Sequence, residues 1–157
     1  MLFVFISYTS WIWAKYGVLN SISQSYYELP LNLQPLFTLF CWGYSFPAII
    51  LGSSELMFLA GSGIAFAGTA AAFREKMTTD VHVTGAVIGV LFSQLAILFQ
   101  YEIWQANVAF LAIAIPLLLT RFIKRKNGTH FCPNRTWWVE IAAFLDISIV
   151  MGIKVVF

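Results

Sequence analysis

Long apolar runs broken by short polar punctuation organise this chain, and they fall at about residues 2–19, 35–52, 55–73, 81–100, 104–123 and 137–157. Each is about 18–21 residues, the length an α-helix needs to cross a hydrocarbon core of about 30 Å. The pattern predicts an all-α fold: a polytopic integral membrane bundle of six transmembrane helices. It forms a single transmembrane domain over residues 1–157, with no internal repeat.

The punctuation adds detail. In the first run Trp11, Trp13, Lys15 and Tyr16 gather toward the C-terminal end, as an interfacial aromatic belt with a snorkelling lysine does. The run has no basic start and no A-x-A site, so a cleaved signal peptide is not expected. The polar stretch NSISQSYYELPLNLQ follows and reads as an interfacial linker with one helical turn. Pro47 is expected to kink the second run by removing a backbone donor. Only Gly52, Ser53 and Ser54 separate the second run from the third, which makes the two antiparallel neighbours. A turn, REKMTTD, joins the third to the fourth, with Thr79 or Asp80 as the natural N-cap. Gly61 and Gly68 on one side of that turn, and Gly85 and Gly89 on the other, predict closely packed backbones at the centre of the bundle.

Composition agrees with the pattern. The chain is 60% hydrophobic and 10% charged, with mean hydropathy +0.80, against about 45–50% and about 25% for soluble domains. A net charge of +2 is too small to point to nucleic acid. Its placement says more. The odd-numbered connections carry Lys15, Arg74, Lys76, Arg121, Lys124, Arg125, Lys126 and Arg135, and the even-numbered ones carry no Lys or Arg. Only Lys154 lies on the other side. By the positive-inside rule both termini are outside and the basic loops cytoplasmic, as in the plasma (inner) membrane of a bacterium. The bilayer is the expected partner, with anionic headgroups at Lys124, Arg125 and Lys126 and a homo-oligomer or membrane partner along the small-residue helices. Cys41 and Cys132 read as free thiols.

Candidate chemistry falls into two layers when depth is counted at about 1.5 Å per helical residue. Near the cytoplasmic face lie Asp80, His82 and Glu140. Near the bilayer centre Asp146 shares its depth with Tyr44, Ser45, Ser93 and Gln94. His82, Gly85, Gly89 and Ser93 recur at helical spacing, which turns His82 toward other helices. A histidine with two carboxylates can hold a divalent metal or share a proton. The plainer reading is that Asp80 caps its helix and that Arg135 or the basic loop offsets Glu140. A mid-helix aspartate costs about 2.5–3.5 kcal/mol to insert. Asp146 is therefore read either as a proton, ion or substrate site or as a neutral acid bonded to Ser45, Ser93 or Gln94.

His82, Gly85 and Ala86, a His-x-x-Gly-Ala start to a transmembrane helix, resemble a pattern in small polytopic families of the DRAM-like type. That resemblance implies a regulatory membrane protein. Asp80 and His82 are also similar to the residues that membrane hydrolases of the alkaline-ceramidase type bring to one membrane face, where zinc activates water. The chain has no H-x-x-x-H to complete that set. The leading expectation is a small-solute or proton-coupled membrane module, or its regulatory partner, with no cofactor and no assigned catalytic residue. The alternatives are a metal-dependent lipid hydrolase, which would use a divalent ion, and a non-catalytic assembly subunit.

Overall fold

The first apolar run forms a helix, α1 (Leu2–Tyr16), that stops short of residue 19. Gly17 adopts φ +75°, a left-handed conformation that side chains disfavour, and its N–H closes onto Trp13 O at 2.9 Å. The computed structural model describes residues 1–70, 76–123 and 131–156, and among them all regular structure is helical. After α1 come α2 (Ser25–Glu28), α3 (Pro35–Leu51), α4 (Glu55–Ala70), α5 (Lys76–Phe99), α6 (Trp104–Leu119) and α7 (Arg135–Val156). A 3-10 turn, Thr120–Phe122, extends α6. Among the described residues three stretches are long and apolar enough to cross a membrane: Asp80–Phe99, Trp104–Phe122 and Arg135–Lys154. Pro35–Leu51 and Glu55–Thr69 are apolar but shorter.

One boundary overturns the sequence reading. Because α5 begins at Lys76, Thr79 and Asp80 lie inside the helix and do not cap it. Each residue added to a helix contributes a further backbone bond, which outweighs the modest propensity deficit of Thr and Asp. Pro47 sits within α3, which continues through it.

The linker is a packed lid, more buried than an interfacial stretch. Ile22, Tyr26 and Leu29 are buried in the main core. Ser25 Oγ donates to Ile22 O and lies 2.7 Å from Tyr8 OH, tying the turn to α1. Three contacts tie the same stretch to the start of α7. Trp137 N donates to Asn20 O at 3.0 Å, Asn134 Nδ2 to Val18 O, and Ile22 N to Glu140 Oε2. Trp13 and Trp138 meet edge to face at this end, and Lys15 lies over Trp11 and Tyr16. At the opposite end Tyr101 OH donates to Gly52 O, while Lys154 Nζ sits 5.6 Å from the Tyr101 ring. Burial pushes the Tyr101 phenol above its ordinary range, so it remains a donor.

The centre is α4, packed most extensively against α5 and then α3. A Cβ on Gly63 would stand 2.7 Å from Gly89 N and 2.8 Å from Gly85 O, so the two backbones touch. Across the other face, Gly61 meets Ile49 and Gly68 meets Cys41. Phe5, Tyr8, Phe37, Phe40, Tyr44 and Phe144 form a continuous set of ring contacts beside this stack.

Candidate functional site

Asp146 stands on α7 with its carboxylate turned toward α5. Gln94 Nε2 donates to Asp146 Oδ2 at 2.9 Å. Behind Gln94, on α6, Asn107 Nδ2 donates to both Gln94 O and Gln94 Oε1 at 2.9 Å. One backbone atom fixes the direction of these bonds. A carbonyl oxygen only accepts, so Gln94 O requires the Nδ2 face of Asn107. That places Gln94 Oε1 opposite an N–H and leaves Nε2 for Asp146. Both amides therefore donate toward the carboxylate, across three helices. Asn107 is 9% exposed and its Oδ1 is buried without a hydrogen-bond partner, the one such side-chain atom among the described residues. Orphaned buried acceptors are rare and costly, by about 1–3 kcal/mol.

The other residues of the expected midplane layer lie elsewhere. Tyr44 OH donates to Phe144 O at 2.6 Å and lies 3.1 Å from Ser148 Oγ, so its hydrogen bonds join α3 to α7 beside Asp146 and do not include it. Ser45 Oγ donates to Trp42 O and Ser93 Oγ to Val90 O, each within its own helix. Of the three partners expected for Asp146, only Gln94 is bonded to it.

In the expected cytoplasmic layer Asp80 is parted from the other two residues. Asp80 is exposed. His82 Nδ1 is 2.8 Å from Ala67 O, which fixes the proton on Nδ1 and leaves Nε2 facing away from that bond. Glu140 accepts from the Ile22 backbone at 2.5 Å and has no described bond to Arg135. His82 and Glu140 line a common cavity with Cys41, which Asp80 does not reach. Among the described residues no three of His, Cys, Asp and Glu gather as a metal-holding group.

No family model, no curated protein and no solved structure matches this chain. Lys124, Arg125 and Lys126, the expected anionic-lipid contact, lie outside the described residues, as does His130. Sequence reasoning missed Asn107, although it is the one asparagine in the apolar run at 104–123. It stands only one turn inside Trp104, near the end of its run. The same reasoning missed Gly63, which brings α4 against α5 as closely as Gly85 and Gly89 do.

Proposed function

We propose that this chain is an integral membrane protein of six crossings, with both termini outside and its basic loops in a bacterial cytoplasm, and that it works as a proton-coupled module for a small solute. Three helices long enough to span support the membrane setting. So do the large apolar side chains on the outer surface, such as Phe3 (82% exposed), Ile50 (74%) and Phe122 (80%), which lipid would cover. The shorter α1, α3 and α4, at about 22–26 Å, come near the hydrocarbon thickness and tolerate mismatch by local thinning and snorkelling. Contacts at the two ends support the alternation: connections one and five meet at one end, and Gly52, Tyr101 and Lys154 at the other.

The observation that carries the functional reading is the Asp146–Gln94–Asn107 chain, a carboxylate deep in an apolar helix reached by two amides and ending on an unpartnered acceptor. An intramembrane carboxylate is a functional site by default. Here Asp146 takes up and releases the proton, Gln94 orients its carboxylate, and Asn107 Oδ1 offers the incoming solute or water a hydrogen-bond acceptor. The test is proton movement in proteoliposomes under an imposed pH gradient, read with a trapped pH-sensitive dye. Wild-type protein is expected to dissipate the gradient well faster than Asp146→Asn, which keeps the volume and hydrogen bonding but cannot ionise. Equal rates for the two would overturn the reading.

A further inference from the structure

Glu140 holds a carboxylate against a cavity that the Asp146 chain does not use. The cavity is about 60 Å³, and its walls include Phe37, Phe40, Phe144, His82 and Cys41. The three phenylalanines are linked ring to ring, Phe37 to Phe40 at 6.2 Å and Phe40 to Phe144 at 5.6 Å, and His82 stands 6.0 Å from Phe37. One Glu140 oxygen, Oε2, is engaged by the Ile22 N–H. Among the described residues no hydrogen bond reaches Oε1, and no Lys or Arg lines the cavity. None of Asp146, Gln94 and Asn107 lines it either.

We propose that this cavity is a binding site for a small alkylammonium ion, with Glu140 as its counter-charge and the Phe37, Phe40 and Phe144 rings as its walls. The chemistry follows from what lines the space. A carboxylate facing a largely apolar cavity stays ionised only with a partner, and among the described residues no Lys or Arg lines it. Aromatic faces carry negative charge density and attract an organic cation where they would give a neutral polar molecule little. His82 also lines the cavity, its ring held by the Nδ1–H bond to Ala67 O. Size narrows the class. One water needs about 10–15 Å³ of such space, so the cavity of about 60 Å³ holds a few waters or one small alkylammonium ion.

The lid gives the site an entrance. Ile22 and Ser23 of the linker form part of the wall, and the Ile22 N–H to Glu140 bond closes the linker over the carboxylate. A cation reaching Oε1 leaves that bond in place.

The experiment is titration of the full chain in detergent or nanodiscs with methylammonium chloride at constant ionic strength, reading the thermal midpoint. Acetamide is the neutral control of similar size. Methylammonium is expected to raise the midpoint saturably, acetamide to leave it unchanged, and Glu140→Gln to weaken the apparent affinity about tenfold or more. The amide oxygen introduced by Glu140→Gln still offers Ile22 N an acceptor, so the lid stays closed and the variant folds. Phe40→Leu, which removes one ring face while keeping the core apolar, should weaken binding severalfold. Equal stabilisation by acetamide would mean an unselective void. No saturable effect of methylammonium on the wild-type chain would mean the cavity holds water only. Either result overturns the proposal, whether or not the variants fold.

Discussion

At the scale of single residues, Asp146 and Gln94 form a bond whose loss can be read directly. Asp146→Asn keeps an oxygen for Gln94 Nε2 to donate to, so its stability should stay close to that of the wild type. Asp146→Leu removes the acceptor and strands a part-buried N–H, which costs about 1 kcal/mol or more. Thermal unfolding in detergent separates the two variants, and equal losses would mean that the Gln94 bond contributes nothing to stability. The same pair divides structure from function, because only the asparagine variant is expected to remain folded while losing proton movement. Asp146 itself was legible in the sequence as a charge deep in an apolar run. Its partner was legible only as one of three polar residues at similar depth. Ser45 and Ser93 share that depth, but each hydroxyl turns back to its own helix, as short side chains in apolar surroundings do.

At the scale of elements, α4 is placed by what its glycines lack. A Cβ on Gly63 meets backbone atoms of Gly85 and Gly89, which have no rotamer with which to move aside. Gly63→Ala should therefore push α4 from α5 and destabilise by about 1–3 kcal/mol. Gly152, on α7, has nothing within 4 Å of its Cβ position, and Gly152→Ala should stabilise by up to about 1 kcal/mol through helix propensity alone. Melting temperatures of opposite sign check the pair, and a neutral Gly63→Ala would show that the two backbones are free to separate. The small residues of the third and fourth runs announced such a contact before any geometry was known. Which glycine faces which helix was not announced: Gly61 and Gly68 turn to α3, whereas Gly63 turns to α5.

At the scale of the whole molecule, the proposed orientation makes an accessibility prediction. In intact cells, a cysteine at Ser53 should react with a membrane-impermeant thiol reagent, and one at Asn127 should be protected until the cells are opened. Cys41 is buried and needs no replacement, while Cys132 is partly exposed and should be changed to alanine first. The reverse labelling would invert the topology.

The sequence alone determined the helices and, within a few residues, their limits, because hydropathy and chain punctuation act locally. It misplaced the start of α5 by reading Asp80 as a cap, since a helix already under way continues through an unexceptional polar turn. Tertiary structure decided the faces. In a helix with one apolar stripe the buried face is written in the sequence, but a helix apolar on nearly every side, such as α6, carries no such contrast. The ring contacts of Phe37, Phe40 and Phe144, the folding of the linker onto α7 and the meeting of Ile22 with Glu140, 118 positions away, each depend on how the helices come to rest against one another. So does the chain from Asn107 to Asp146. Three polar residues, Asn107 at a different apparent depth from the other two, become one site only when α5, α6 and α7 fix their rotation, and that rotation is set by packing contacts distributed over the bundle.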